Sequence, residues 1–571
     1  MRPDEGVTSV TGAPSKLLVI GWDGATFEVI RPMIARGEMP HLARLMAEGA
    51  HGPLRSTVPP SSAVAWPTFM TGRDPEGHGL FGFYQTEGDT YQPHLASSRD
   101  VRVPCLWDWL GKAGHRVGVV NVPITYPPRP VNGFLVSGML TPGPVEVFTH
   151  PADLGAQLLA ASPPYPIETQ VMRQIRAASS PAAALNLLHR WTADFQVATR
   201  NLLSSRSWDC FVVVYRATDI VQHWLGFHWI PELAAQRPRL AAEAADGIES
   251  IYRQLDACLG EVLELVPPET TVLVVSDHGF GPTFGRFYIN NWLKGHGYLV
   301  LKRGARYRRR FGGTRRVPLR RGLTRLGLEA LADRLPTWLG EWSLPVPDKR
   351  QIDQIVDWQR TRAFVPFSGV QGAAIRLNLS GREPHGIVQP GVQAQALLAE
   401  LADQLRALRD ARGKLLFEEV GIRGGHSSEH AGNQGPDIVA LPREENYHSV
   451  PARITDDGEM LAGPALRAGG HHRMEGIFVA GGPAIAPGVT VHGARLVDVT
   501  PTALHLMGLA TPTELDGEVL ATALRPECQA PHSVHAVTPE VKAQPVGPAE
   551  VYSPEEEAKI EDTLRALGYL D

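Results

Sequence analysis

The chain has 571 residues, well past the ~250–300 at which one core stops growing, so it holds one large domain with insertions or two domains. Hydrophobic residues make up 43% and charged residues 20%, which excludes a disordered chain. A formal net charge of −5 gives no general argument for a nucleic-acid or membrane partner.

Cys105, Cys210, Cys258 and Cys528 are scattered without a CxxC pair, which argues against a disulfide framework or a thiolate zinc site. The opening MRPDEGVTSVTGAPSK lacks the apolar core of a signal peptide. No apolar run approaches the ~18 residues of a membrane-spanning helix, and a cytoplasmic protein is expected.

The apolar run Lys16 to Ile20 reads as a buried parallel strand with Asp23 at its C-terminal end. An amphipathic helix through PHLARLMAEG follows. Ser62 then stands after a Pro-Pro turn, at the head of the apolar stretch AVAWPTFM, where its hydroxyl can cap a helix whose free N–H groups favour oxyanions. Pro67 removes one helical N–H, so this helix is expected to start later than Ser62 or to kink. The helix around LWDWLGKAG leads to a strand over Arg116 to Val122. After an irregular and then helical stretch, Cys210 to Tyr215 is a strong strand that runs into Asp219 and His223. A long amphipathic helix over Leu240 to Leu265 precedes the strand TVLVVS, which ends at Asp277-His278-Gly279. This alternation predicts an α/β fold with a doubly wound, mostly parallel sheet whose ligands sit beyond the carboxyl ends of the strands.

From Leu301 to Arg325 the chain is strongly basic and has no acidic residue. It reads as a solvated insertion, or as an arm over 302–325 making weak contact with an anionic surface. A helix over Gln393 to Arg412, strands at PDIVAL and GIFVA, and a helix around TPTALHLM complete the α/β pattern. The stretch from Pro526 to Ala549 reads as a Pro-rich linker. Ser553-Pro554-Glu555-Glu556 then opens a last helix with a capping box. No internal repeat, P-loop or dinucleotide fingerprint is present.

Asp219 and His223 are spaced i, i+4, so on a helix they share a face and can grip one metal ion. Asp277 and His278 are adjacent at a strand end, and His472 lies just ahead of another strand. With Asp23 these residues offer carboxylate oxygens and imidazoles, a donor set suited to Zn²⁺ or Mn²⁺. Together with the Ser62 hydroxyl at a helix start they describe a two-metal hydrolytic site.

The order Asp23…Ser62…Asp219-xxx-His223…Asp277-His278-Gly279…His472 resembles the alkaline phosphatase superfamily. Within it the chain is similar to the type I phosphodiesterase/nucleotide pyrophosphatase branch, in its bacterial cytosolic form. The pieces that carry the likeness are VIGWDGATFEVI, PPSSAVAWPTFMTGRDPEGHG, NVPITYPP, DHGFGP, RLNLSGREPHGIVQPG and LRALGYL. The resemblance implies Ser62 as the nucleophile, with Asp23, Asp277 and His278 around the metal that activates it. It implies Asp219, His223 and His472 around the second metal, with His472 preferred to His471 because Arg follows the ligand in the family. Ser62 itself would also contact the metals. Two divalent ions are implied, zinc first and manganese second.

The implied activity is a metal-dependent phosphodiesterase acting on a small-molecule, lipid or polymer phosphoester, without specific nucleic-acid binding. A phosphomonoesterase or phosphomutase of the same superfamily, or a non-catalytic phosphate or lipid-headgroup binder, are the alternatives. The likeness departs at Phe83, where the nucleotide pyrophosphatases carry an Asn, so it does not extend to nucleotide specificity. The implied layout is a flexible 1–15, a catalytic domain over 16–527 with cap insertions at about 125–207 and 284–370, and a linker with a terminal helix over 528–571.

Overall fold

In the computed structural model the described residues are 16–302, 315–318, 343–346, 355–530, 551–566 and 569, apart from 87–90, 92, 144–146, 179, 236–240, 243–244, 367–372, 424–434, 445–447, 451–453, 455–457 and 464–469. Most of the basic stretch 302–325 and most of the 526–549 linker lie outside them.

The apolar runs singled out in the sequence form the middle of one ten-stranded sheet. In chain order its strands are β1 (Leu17–Trp22), β2 (Ala50–Arg55), β3 (Val117–Val120), β4 (Gly133–Val136), β5 (Thr149–His150), β6 (Cys210–Tyr215), β7 (Thr271–Val275), β8 (Glu475–Gly481), β9 (Val489–Thr490) and β10 (Ala494–Arg495). The spatial order is β9-β2-β8-β7-β1-β6-β3-β4-β5, with β10 also on β2. From β7 to β4 the neighbours are parallel, while β8 runs antiparallel to both β7 and β2 and β5 antiparallel to β4. Every residue of β1, β3, β6 and β7 is buried, as expected for parallel strands covered on both faces by helices.

Of the flanking helices, Pro40–Glu48, Pro181–Ser205 and Gly247–Leu265 are amphipathic and bury an apolar stripe. Pro40–Glu48, Pro181–Ser205 and Ala217–Leu225 pack around Gly247–Leu265, and Val499–Leu506 packs with Ser62–Thr71 and Leu106–Lys112. The long helix predicted from Leu240 is described from Gly247, and the one predicted to Arg412 ends at Ala407. The stretch 125–207 contributes β4 and β5 to the central sheet, and Phe148, Leu188, Phe195 and Leu202 to the main core.

A second core gathers Phe287, Trp292, Ile375, Leu401 and Ile438. It lies on a four-stranded antiparallel sheet ordered Ala363–Phe364, Ala373–Leu377, Ile438–Pro442, Phe417–Ile422. Its buried charges are paired: Arg382 binds Asp437 at 2.7 Å, and Arg376 and Arg382 each reach Glu383 at 2.8 Å. Unpaired charges would be too costly to bury there. The last helix spans Pro554–Ala566, and its capping box is formed: Ser553 N donates to Glu556 Oε2 at 2.8 Å and Glu556 N to Ser553 Oγ at 3.3 Å.

Candidate active site

Register places the chemistry. Trp22 pairs with Tyr215 and Gly21 with Val275, so β1, β6 and β7 end at one level. The residues that follow, Asp23, Arg216 and Ser276-Asp277, emerge side by side at the carboxyl edge of the sheet, where open α/β sheets bind ligands. Gly24 turns the chain there with φ +68, a conformation open to glycine. A Cβ on Gly24 would lie 3.2 Å from the Asp219 backbone. Its N–H donates to Asp277 Oδ1 at 3.2 Å and its carbonyl accepts from Gln222 Nε2 at 2.8 Å. One turn thus ties the three strand ends together.

The helix Ser62–Thr71 is fully buried and starts at Ser62 itself; Ser61, in extended backbone, is the N-cap residue. The expected Ser62 cap is therefore displaced by one position, because the Ser61 carbonyl already accepts from Val64 N at 2.8 Å and Ala65 N at 2.7 Å. The helix runs through Pro67 to Thr71. As the first helical residue, Ser62 sets its Oγ 3.2 Å from His278 Nε2 and 3.5 Å from Asp23 Oδ1, beside N–H groups that have no acceptor within the helix. Trp66, one turn on, donates from Nε1 to Asp23 Oδ2 at 2.8 Å. Its ring lies over Gly21, where a Cβ would come within 2.4 Å of it.

Two groups of buried donors stand next to this hydroxyl. Asp23, Asp277 and His278 form one and Asp219, His223 and His472 the other; in each, one donor atom per residue lies within 4.8 Å of the others. Asp219 and His223 share one face of the helix Ala217–Leu225, with Nε2 to Oδ1 at 3.3 Å. His472 arrives on a two-stranded ribbon, Gly470–Arg473 against Gly279–Pro282, in which it pairs with Phe280. Its Nε2 is 3.3 Å from Asp219 Oδ1 and 2.8 Å from His223 Nε2. The rings of His278 and His472 stack at 3.5 Å between centroids, so the two groups adjoin. His471, the neighbour on the ribbon, is not in either group.

These residues fit divalent cations. Asp219 Oδ1 and Asp277 Oδ2, one in each group, are buried carboxylate oxygens without a hydrogen-bond partner, an arrangement that is expensive unless a cation completes it. The tautomers agree. His278 Nδ1 bonds the Gly279 carbonyl at 3.0 Å and His472 Nδ1 the Pro60 carbonyl at 2.8 Å; a carbonyl only accepts, which leaves each Nε2 lone pair facing inward. Burial and the carboxylates of Asp23 and Asp219 push the Asp277 carboxyl well above its usual range. Burial would also raise Asp219, but His223 and Arg216 outweigh it and hold that carboxyl well below. Burial lowers His278 and takes His472 well below its ordinary value, so both imidazoles are neutral and able to ligate.

Behind the two groups lies a residue that the sequence reading did not single out. Arg216, 1% exposed, binds Asp23 Oδ2 at 2.6 Å, Glu168 Oε2 at 3.3 Å and lies 3.7 Å from Asp219 Oδ2. Burial opposes its charge, but these carboxylates outweigh that cost and keep the guanidinium protonated. Three carboxylate partners for one buried arginine cannot be read from spacing. The signal available was its place at the end of β6, two residues ahead of the Thr218-Asp219 step. Phe83 is buried and packs on Tyr569 with ring centroids 5.0 Å apart.

Among the described residues no helix is long and apolar enough to cross a membrane. No curated protein matches the chain by sequence. Human ectonucleotide pyrophosphatase / phosphodiesterase 5 is similar in structure over 86% of this chain and 95% of its own, at 13% identity and a TM-score of 0.43. Phosphonoacetate hydrolase from Sinorhizobium meliloti 1021, in complex with phosphonoacetate, is similar over 86% of this chain and 96% of its own, at 16% identity and a TM-score of 0.49. The inactive murine ectonucleotide pyrophosphatase / phosphodiesterase 5 in complex with AMP covers 87% and 96%, at 13% identity and a TM-score of 0.43. The family model for type I phosphodiesterase / nucleotide pyrophosphatase matches residues 17–450, a span that holds Asp23, Ser62, Asp219, His223, Asp277 and His278, and the chain therefore belongs to that family.

Proposed function

We propose that this protein is a metal-dependent phosphodiesterase in which Ser62 is the nucleophile. The observation that carries the proposal is the position of Ser62 Oγ, 3.2 Å from His278 Nε2 and 3.5 Å from Asp23 Oδ1, at a helix start and beside two donor groups with orphaned carboxylate oxygens. Asp23, Asp277 and His278 would hold one divalent ion and Asp219, His223 and His472 the other; nitrogen and oxygen donors without thiolate suit zinc, with manganese as the alternative. When bound, such ions make a serine hydroxyl ionisable near neutral pH and offset the charge of the phosphoryl oxygens.

The chain's own residues account for the rest. Trp66 and Arg216 hold Asp23 Oδ2, so that Oδ1 is the oxygen turned to Ser62. Ser62, its hydroxyl proton given up to solvent, attacks phosphorus through Oγ as the bond to the leaving oxygen breaks and that oxygen takes a proton from water, which leaves a phosphodiester on Ser62 and a free alcohol. Free N–H groups at the helix start hold the oxygen that gains charge. Water then attacks the same phosphorus, the bond to Ser62 breaks, and a phosphomonoester departs. The substrate is a small-molecule, lipid or polymer phosphoester. Four unpaired cysteines suit a reducing compartment, in keeping with a cytoplasmic setting.

The test is hydrolysis of bis-p-nitrophenyl phosphate against p-nitrophenyl phosphate, with zinc or manganese supplied, by wild type and Ser62→Ala. Diester turnover that vanishes in Ser62→Ala is the expected result. Preference for the monoester would move the reading to a phosphatase or mutase, and full activity in Ser62→Ala would remove Ser62 as nucleophile.

A further inference from the structure

The segment that ends in LRALGYL returns to the site. Tyr552 stacks on Tyr126 at 5.7 Å, Tyr84 Oη donates to Glu561 Oε1 at 2.9 Å, and Ile560 and Leu564 are buried in the main core. The helix Pro554–Ala566 packs on Glu168–Ala177, whose first residue is the Glu168 that holds Arg216. Beyond it Tyr569 N donates to the Leu564 carbonyl at 2.9 Å, and the Tyr569 side chain, 3% exposed, enters the donor cluster. Its ring lies 4.9 Å from His223 and 5.6 Å from His472, centroid to centroid. Its hydroxyl accepts from Arg216 Nη2 at 3.0 Å and donates to Asp219 Oδ2.

A phenylalanine would fill the same space, so the hydroxyl needs its own reason. Asp219 uses its two oxygens differently: Oδ1 faces His223 and His472, while Oδ2 is taken by Tyr569 and faces Arg216. The terminal torsion of an Asp side chain is soft and roughly two-fold. With the hydroxyl gone, Oδ2 keeps only the guanidinium of Arg216 at 3.7 Å, too long to hydrogen-bond, and the carboxylate can turn its lone pairs away from the imidazoles. Outer partners of this kind orient the groups that bind a metal.

We infer that Tyr569 is a positioning residue for the Asp219-His223-His472 group, setting Asp219 Oδ1 to receive a divalent cation. The helix Pro554–Ala566 and Tyr569 are on this reading part of the active centre and not an appendage. The inference rests on the metal-dependent reading above.

The experiment compares full-length wild type, Tyr569→Phe and Phe83→Leu, dialysed against zinc buffers of fixed free concentration. Bound zinc is counted by mass spectrometry and diester turnover is followed over the same range. In Tyr569→Phe one zinc should bind as in wild type and the other about 10–100-fold more weakly, the usual cost of losing such a partner. Turnover should recover when free zinc is raised by the same factor, which a packing defect would not permit. Phe83→Leu loosens the packing on the Tyr569 ring without touching its hydroxyl, and should keep both affinities. Two zinc ions held with wild-type affinity in Tyr569→Phe, or equal weakening in both variants, would overturn the inference alone. A wild-type chain that takes up no zinc would overturn the metal-dependent reading itself.

Discussion

Arg216→Met tests the electrostatic design of the site while leaving every proposed ligand in the sequence. The guanidinium is fully buried and is the cation that faces Asp23, Glu168 and Asp219 at 2.6, 3.3 and 3.7 Å. Methionine keeps much of the volume and removes the charge, so three buried carboxylates lose their compensation. Breaking a buried pair from one side costs about 3–5 kcal/mol. Unfolding entropy of about 2.1 cal/mol/K per residue gives about 1.2 kcal/mol/K for this chain, so a single transition should fall by about 2.5–4 °C. The assay is thermal unfolding of wild type and variant, once in chelator and once in excess zinc. The loss should be larger in chelator, because cations in the two groups would supply part of the missing charge. A shift below about 1 °C in chelator, or the same loss in both conditions, would refute the role given to Arg216.

Asp277→Asn should separate stability from function. Burial and two neighbouring carboxylates already disfavour the ionised form, so the neutral isostere should melt at least as high as wild type in chelator while diester turnover falls by orders of magnitude; a lower melting temperature would contradict this. Chelation should abolish wild-type turnover and zinc or manganese should restore it, measured after dialysis. In Gly21→Ala the new Cβ meets Trp66 at 2.4 Å and Val214 at 2.9 Å, so denaturant unfolding should show about 1–3 kcal/mol of lost stability, the usual cost of overpacking. His78 is buried, with Nδ1 accepting from Leu80 N at 3.1 Å and Nε2 3.0 Å from Thr68 Oγ1, and burial lowers its pKa to about 3. Between that value and the ordinary ~6.5 the unfolded chain binds a proton that the folded chain does not, so stability rises with pH across this window and is lost on acidification by up to about 1.4 kcal/mol per unit. His78→Gln should flatten the pH dependence of the melting temperature over this window, and an unchanged slope would exclude His78 as its source.

What the sequence determined by itself was whatever depends on local pattern. The apolar runs over Lys16 to Ile20, Cys210 to Tyr215 and TVLVVS became β1, β6 and β7, because strands buried on both faces must be apolar throughout. The Ser553 capping box is likewise a four-residue affair. The i, i+4 spacing of Asp219 and His223 needed only a helix to bring both side chains to one face, and the family motifs carried the order of Asp23, Ser62, Asp277, His278 and His472.

Tertiary structure decided what depends on contacts between distant segments. The start of the Ser62 helix shifted by one residue because the Ser61 carbonyl took the first helical bonds. The stretch 125–207 joined the central sheet, since pairing of β4 with β3 depends on register and not on composition. Arg216 and Tyr569 are 353 positions apart and still share a hydrogen bond. Their meeting at Asp219 is fixed by sheet register on one side and by the docking of Pro554–Ala566 on the other. No window of sequence contains both, because burying a charge is possible only where the fold has already gathered its partners.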